Sequence, residues 1–213
     1  MVGSQVLDQL LSRSDVEEVI SIGRRKSGRS DPRLKEIVHD NFLDFSGMKS
    51  ELQGIDVCIY CLAVYQGQVS KQQYEVITCD YQQALTDVLQ ETSPNLAFVL
   101  FGASGADPSE KSKMLFAKVK GRAEKLLMEA PFPHKYIVRP AFIYPTGEKQ
   151  PPGFMYRILN PIVYQIARLI PSIMITDAEL ASAMVTLSLN PTRASGALEN
   201  VEIKAVAAQG SLE

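Results

Sequence analysis

The sequence predicts a single α/β domain built on a doubly wound parallel sheet, with helices covering both faces. Three observations support this. Short apolar runs alternate with amphipathic stretches of ten or more residues, which is the pattern of βαβ units. The apolar runs 56–62 and 96–101 are nearly continuous, as in strands that are covered on both faces. The length of 213 residues, 46% of them hydrophobic, suits one core and is short for two domains.

The first half of the chain begins with a predicted helix over 4–13, whose apolar residues recur at helical spacing. A strand at 19–22 follows and ends in a glycine and three basic residues. A short strand at 37–38 comes next, then a helical stretch at 48–52. The apolar strand 56–62 completes this half, and the alternation predicts that these strands lie parallel in one sheet.

The second half continues the alternation, with a long helix over 69–92 and a strand at 96–101. A helix over 109–130 is predicted to take Ser109 as its N-cap, because a hydroxyl there can accept a hydrogen bond from the first turn. A strand at 136–139 follows. After it we predict a small cap over the strand ends at 145–175, a helix at 178–189 capped by Thr176 and Asp177, and a last strand at 198–205.

Composition excludes some classes of function. The net charge is −2, with 22 basic and 24 acidic side chains. Binding to nucleic acid would need a clustered basic face, and the sequence does not predict one. Two histidines give no metal-site spacing. Cys58 and Cys61 lie three apart on a strand, so they point to opposite faces, and we expect free thiols in the reducing cytoplasm. The apolar stretch 154–170 is shorter than the roughly 20 residues of a membrane span, so we expect a buried cap or a face that pairs two copies.

Several motifs appear in one order along the chain. After the strand that ends in GRRK at 23–26 and the later Asp40 come FGASGAD at 101–107, VKGRAE at 119–124 and VRPAFIY at 138–144. Taken together, the chain resembles the atypical short-chain dehydrogenase/reductases, and within them the Tat-interacting-protein-like oxidoreductases, over essentially its whole length. The resemblance implies a Rossmann-like NAD(P)-binding domain with an unknown small-molecule substrate.

The start of the chain departs from that family. Its members begin with a strand and a turn of three glycines at the cofactor pyrophosphate, and Gly3 matches only the last glycine. The resemblance places the missing strand at the centre of the sheet, where unpaired backbone groups cost roughly 1–3 kcal/mol each. We therefore expect a doubly wound sheet that lacks its first strand, its middle position being empty or filled by a substitute. The natural protein would then begin upstream of Met1, or another element would fill the slot.

The catalytic pair departs as well. The family uses a tyrosine and a lysine four residues apart on one helical face. Lys120 matches the lysine, but Phe116 stands where the tyrosine would be, and a phenyl ring cannot transfer a proton. Ser104 lies one position after the family's serine. Tyr144 or Tyr65 could replace the acid or simply line the pocket. The candidate catalytic residues are therefore Lys120, Ser104 and Tyr144.

Further positions match the family's cofactor contacts. Arg24 and Arg25 follow the second strand of the family pattern, where NAD-specific relatives carry an acidic residue, so they favour NADP through its 2′-phosphate; the alternative is a solvated turn. Asp40 would meet the adenine amine or cap the next turn. The remaining cofactor positions implied by the resemblance are Gly3, Leu62, Ala63, Lys120 and Pro140.

Three functions remain open at this stage. The leading hypothesis is an NADP-binding protein of the oxidoreductase type in which Lys120 holds the cofactor. The rival is a non-catalytic sensor or interaction protein that keeps the fold, which Phe116 favours. The third is a shortened chain that binds no cofactor.

Overall fold

A computed structural model describes residues 1–146 and 174–210, in which strands and helices alternate as predicted. The strands are β1 (Val19–Gly23), β2 (Leu34–Val38), β3 (Val57–Tyr60), β4 (Ala97–Phe101), β5 (His134–Arg139), β6 (Phe142–Tyr144), β7 (Met174–Thr176) and β8 (Gly196–Glu199). The helices are α1 (Val2–Ser12), α2 (Lys71–Glu75), α3 (Tyr81–Thr92), α4 (Leu115–Glu129), α5 (Asp177–Leu189) and α6 (Asn200–Gly210). A π-helical turn, Val76–Asp80, joins α2 to α3.

The strands form three parallel groups. β1 pairs with β2, the order of the largest group is β3-β4-β5-β8, and β6 pairs with β7. In the Rossmann strand order 3-2-1-4-5-6, the β1-β2 pair and the four-stranded group fit as β2-β1, a gap, then β3-β4-β5. Within the described residues no strand pairs with the second side of β1 or β3. The predicted doubly wound parallel sheet is therefore confirmed, and no strand of the described residues occupies its middle position.

The core has a cluster on each face of the sheet, and β4 contributes to both. Val99 packs in the cluster with α1, α5 and α6, while Phe98 and Leu100 pack in the cluster with α3 and α4. All three side chains are buried. Because successive residues of a strand point to opposite faces, a strand covered on both sides must be apolar throughout. The predicted reading of 96–101 as such a strand is confirmed.

The predicted start of the fourth helix was wrong. α4 begins at Leu115, and Ser109 is not its N-cap. The Ser109 hydroxyl instead donates to Asp107 Oδ1 at 2.5 Å, and the Ser112 amide donates to Asp107 Oδ2 at 2.7 Å. An ionised carboxylate is a stronger acceptor than the helix offers at this point, so Asp107 holds residues 107–112 as a loop.

The end of the chain also differs from the prediction of a strand at 198–205. β8 ends at Glu199, and α6 begins at Asn200. The buried residues Ile203, Val206 and Ala207 recur at a spacing of three and four, so helical periodicity overrides the short apolar run. The stretch at 48–52 is likewise no helix, since only Ser46–Met48 forms a 3-10 turn.

Two helix starts are fixed by capping boxes, in which side chain and backbone satisfy each other. The hydroxyl of Ser70 accepts from the Gln73 amide before α2, and the hydroxyl of Thr176 accepts from the Glu179 amide before α5. The predicted cap of α5 by Thr176 is confirmed. Asp177 has another role, because its Oδ1 accepts bonds from the amide and hydroxyl of Thr146 at 2.8 and 2.6 Å.

Most of the predicted cap, including the apolar stretch 154–170, lies outside the described residues. The strands on either side of this stretch, β6 and β7, are described and pair in parallel. Over 1–146 and 174–210, no helix has the length and apolar character needed to cross a membrane.

Candidate functional site

The positions with predicted cofactor roles gather where the parallel strands end. Strands of a parallel sheet present their carboxyl ends at one edge, and this edge is where Rossmann domains bind ligands. Arg24 and Arg25 follow β1, and Asp40 follows β2. Leu62 and Ala63 follow β3, Ser104 follows β4, and Pro140 follows β5. The structure thus brings all of these predicted positions to the carboxyl ends.

These positions differ in how accessible they are. Arg24, Arg25, Asp40, Ala63 and Ser104 are exposed, whereas Leu62 is half-buried and Pro140 is buried. The exposed arginines are therefore available to an anionic group. The buried Pro140 can shape this edge only by packing and through its carbonyl, which accepts a bond from the Ser104 amide at 3.1 Å.

Lys120 lies in a small cavity just inside this edge. The residue is 8% exposed, and its Nζ lies 5.9 Å from the centre of the Phe101 ring. The cavity measures about 10 Å³, roughly the room that one water molecule needs. Burial lowers the pKa of Lys120, and the nearby Glu124 carboxylate opposes that effect. The cavity is lined by Lys120, Glu124, Tyr60, Leu62, Thr78, Gln82, Leu100, Phe101, Gly102 and Ala123.

Polar side chains that sequence reasoning missed face the same cavity as Lys120. Tyr60 and Gln82 both line it and are buried, and among the described residues neither the Tyr60 hydroxyl nor Gln82 Oε1 has a hydrogen-bond partner. Burial raises the pKa of Tyr60 above its usual value, so its phenol stays protonated. One signal was available in the sequence, because Tyr60 and Leu62 are two apart on the predicted strand 56–62, where they would share a face.

Behind Lys120, a buried ion pair joins α4 to β5. Arg139 Nε donates to both carboxylate oxygens of Glu124 at 3.1 Å, and the Glu124 side chain is 1% exposed. Burial raises the pKa of Glu124, while the Arg139 guanidinium opposes the shift. Arg139 Nη1 also reaches Glu199 at 3.2 Å. The pair fixes the helix that carries Lys120 against the sheet.

Phe116 lies one helical turn before Lys120, as the sequence predicts for the position of the absent tyrosine. Its half-buried ring packs against a cluster that contains Tyr74, Cys79 and Val119. An apolar environment of this kind suits a phenyl ring and offers no proton to a substrate.

Two glycines allow the loop after β4 to lie close to α4. A Cβ on Gly102 would lie 2.8 Å from Ile137 Cγ2 and 2.9 Å from Glu124 Oε1. A Cβ on Gly121 would lie 2.0 Å from the Asp107 carbonyl, closer than any side chain can approach. The loop that carries Ser104 is therefore held against the helix that carries Lys120.

The remaining predicted residues lie in three places. Gly3 is in the first turn of α1, where a Cβ would be 3.2 Å from Cys61 Cβ, so the helix begins against the end of β3. Tyr144 is half-buried at the end of β6, and Tyr65 is 57% exposed in the loop after β3. In the described parts of the chain, no three His, Cys, Asp or Glu side chains cluster as metal ligands would.

Comparison with known proteins identifies the fold. No family profile and no curated protein matches the sequence. Among solved structures, the enzyme WbmG of Bordetella bronchiseptica in complex with NAD aligns with a TM-score of 0.67 and 14% identity, over 99% of this chain and 74% of that one. Gre2 of Candida albicans in complex with NADPH aligns with a TM-score of 0.68 and 14% identity, over 93% and 75%. UDP-N-acetylglucosamine 4-epimerase of Bacillus cereus aligns with a TM-score of 0.64 and 16% identity, over 96% of this chain and 79% of that one.

At identities this low, the likeness concerns the fold. The strand order, the two-sided core and these alignments agree over nearly the whole chain. The chain therefore has a Rossmann-like α/β fold, similar to the folds of these solved structures.

Proposed function

We propose that this protein binds a nicotinamide cofactor along the carboxyl ends of its sheet and is of the oxidoreductase type, with an unidentified small-molecule substrate. One observation carries the proposal: the separately predicted cofactor positions gather at those ends. The complexes of WbmG with NAD and of Gre2 with NADPH, which share the fold, support the class of cofactor. When bound, the cofactor would supply or accept a hydride.

The residues at this edge fit such a cofactor in chemical type. Arg24 and Arg25 are exposed guanidinium groups that can bind a 2′-phosphate with paired hydrogen bonds, which favours NADP. The exposed Asp40 would accept a bond from the adenine amine. Leu62 and Ala63 would pass their backbone under the cofactor, while Gly3 would lie near the pyrophosphate and Pro140 beside the nicotinamide.

Lys120 is proposed to hold the cofactor ribose from the cavity that it shares with Leu62. Ser104 and Tyr144 are the proposed hydroxyl groups for proton transfer, because Phe116 has none. Tyr60 is a further candidate for that role, since it lines the same cavity as Lys120 and burial keeps its phenol protonated.

The cofactor preference can be measured by calorimetry with NADPH and NADH. We expect NADPH to bind more tightly, and the double change Arg24→Ala, Arg25→Ala to erase the difference, because it removes the donors for the 2′-phosphate. A matched control is Lys35→Ala with Arg193→Ala, two exposed cations away from the carboxyl ends of the strands. Equal affinities for the two cofactors in the unmodified protein would show that Arg24 and Arg25 are only solvated.

The missing tyrosine predicts slow chemistry by the family's usual route. Phe116→Tyr should raise the rate of NADPH-dependent carbonyl reduction, because Lys120 can lower the pKa of a phenol one turn away from its usual value of about 10. General acids contribute about 10²–10⁴-fold, and we expect part of that factor. Leu115→Tyr, on the neighbouring position of α4, is the control. Brisk reduction of aldehydes or quinones by the unmodified protein would contradict this reasoning.

The second candidate function is a non-catalytic NADP(H)-binding sensor or interaction protein. The packing of Phe116 against Tyr74, Cys79 and Val119 favours it, since this environment suits an apolar ring rather than an acid. Turnover of NADPH by the variant Phe116→Tyr distinguishes the two candidate functions. A sensor would bind NADPH without turnover even in this variant. Absence of heat with either cofactor would indicate that the chain binds neither.

A further inference from the structure

The cavity of about 10 Å³ that Lys120 lines, here called the inner cavity, also holds a carboxylate. Glu124 follows Lys120 by four positions on α4, so the two side chains lie on the same face of the helix. Both residues are buried, and both line the inner cavity. A cation and a carboxylate thus share a space with room for about one water molecule.

The other ionisable side chains close to Lys120 are uncharged at neutral pH. Burial raises the pKa of the Tyr60 phenol, which lines the inner cavity from β3. Burial also raises the pKa of the Cys79 thiol, in the π-helical turn, to about 11. From α3 and β4 the cavity is lined by the Gln82 amide and by apolar side chains, none of which ionise. Among the described residues that line the inner cavity, Glu124 is therefore the one anion that can balance the charge of Lys120.

Arg139, on β5, stabilises the ionised form of Glu124. Its Nε donates to both carboxylate oxygens at 3.1 Å, and its Nη1 reaches the exposed Glu199 at 3.2 Å. A buried carboxylate stays ionised only where such donors replace the water that it has lost. The four side chains form a row of alternating charge that leads from Glu199 at the surface to Lys120.

Glu124 also lines a second cavity, here called the outer cavity, of about 340 Å³. Arg139 lines it too, together with the exposed residues Lys125 and Glu129. The buried carboxylate therefore borders a space that solvent can enter, whereas Lys120 is not among the residues that line this space. Protons can reach Glu124 from solvent through the outer cavity.

We propose that Glu124 is a positioning residue that keeps the buried Lys120 charged in the inner cavity. The physical reason is the cost of burying a cation, since an ammonium group taken out of water loses its proton more easily unless an opposite charge lies near it. Burial lowers the pKa of Lys120, and the Glu124 carboxylate is the largest effect that opposes this shift.

The consequence for the cofactor rests on the proposed function. A charged Lys120 would donate strong hydrogen bonds to a ribose hydroxyl, and a neutral amine would be a weaker donor. Glu124 would then act on cofactor binding through Lys120, without touching the cofactor itself.

Titration of Lys120 by NMR tests the proposal without any cofactor, with isotope-labelled lysine and with Lys120→Met to assign the signal. Glu124→Gln keeps the shape of the side chain and removes its charge. In this variant the pKa of Lys120 should fall by about one unit or more, which makes proton binding about tenfold weaker. Glu124→Asp keeps the charge and should retain most of the pKa. The matched control is Glu129→Gln, an exposed carboxylate on the same helix, which should leave the pKa of Lys120 unchanged.

Calorimetry with NADPH over a range of pH gives the functional readout. The affinity for NADPH should fall as pH rises past the pKa of Lys120, and in Glu124→Gln this fall should begin at a lower pH. Weakening by the same factor at every pH would show a merely structural role for Glu124 and would overturn the proposal. If the unmodified protein binds no NADPH at any pH, the proposed function fails, and the NMR titration still decides whether Glu124 keeps Lys120 charged.

Two results of the titration would overturn the proposal. An equal pKa of Lys120 in the unmodified protein and in Glu124→Gln would show that the Glu124 carboxylate does not act on Lys120. An equal fall in Glu129→Gln would show an effect of total charge rather than of this carboxylate. If Glu124→Gln does not fold, the unmodified protein decides. The Cε signal of Lys120 should then show a second inflection at the pH where the Glu124 carboxyl group titrates, and its absence would overturn the proposal.

Discussion

Removal of the guanidinium from the buried ion pair of α4 and β5 should destabilise the protein strongly. Arg139→Ala would leave the Glu124 carboxylate, 1% exposed, without its two bonds of 3.1 Å to Arg139 Nε. Breaking a buried pair typically costs about 3–5 kcal/mol. Since the Arg139 side chain is 18% exposed, we expect the lower end, about 3 kcal/mol. For a domain of this size that corresponds to a fall in Tm of roughly 6–12 °C.

The loss should depend on pH in a defined direction. Burial already raises the pKa of Glu124, and without Arg139 the pKa must rise further. The folded variant then holds a proton that the unfolded chain releases above a pKa of about 4.3. Its stability is therefore retained below that pH and lost as pH rises toward the higher folded pKa.

Urea unfolding followed by circular dichroism at pH 5 and pH 8 measures both effects. Adding Glu124→Gln to Arg139→Ala should recover part of the loss at pH 8, because the amide needs no counter-ion. Arg193→Ala breaks an exposed pair with Glu202 and should cost less than about 1 kcal/mol. A loss below about 1 kcal/mol for Arg139→Ala at pH 8, or an equal loss at both pH values, would refute this account.

Two further perturbations test the packing of α4 and the burial of its lysine. Gly121→Ala should destabilise the protein by about 1–3 kcal/mol in thermal unfolding, because its Cβ would lie 2.0 Å from the Asp107 carbonyl. Gly196→Ala, where a Cβ meets nothing within 4 Å, is the control, and equal Tm values would contradict the packing argument. For Lys120, burial lowers the pKa, so above the folded pKa the unfolded chain binds an extra proton, and stability should rise with pH toward the usual lysine value of about 10.4. Lys120→Met should flatten that rise in urea unfolding while Lys118→Met should not, and an unchanged slope in Lys120→Met would show that Lys120 is solvated.

The sequence alone predicted the class of fold and most strands, because period-2 and period-3.6 patterns are local. It failed where two local signals compete. Ser109 has the chemistry of an N-cap, yet Asp107 holds it in a loop. The segment after Leu198 has strand-forming residues, but its burial repeats every three or four positions.

For the candidate site too, the sequence predicted some features and only the tertiary structure revealed others. The resemblance predicted cofactor roles for Arg24, Asp40 and Lys120. The structure places Arg24 and Asp40 after the carboxyl ends of β1 and β2 and places Lys120 on α4. Only the tertiary structure showed that Lys120 is buried with Tyr60 in a small cavity. It also revealed the ion pair between Glu124 and Arg139, residues 15 apart in sequence that meet across a helix–strand contact. Sequence patterns give the direction of a side chain on its own element, whereas burial, and the pKa that burial sets, depend on which element packs against it.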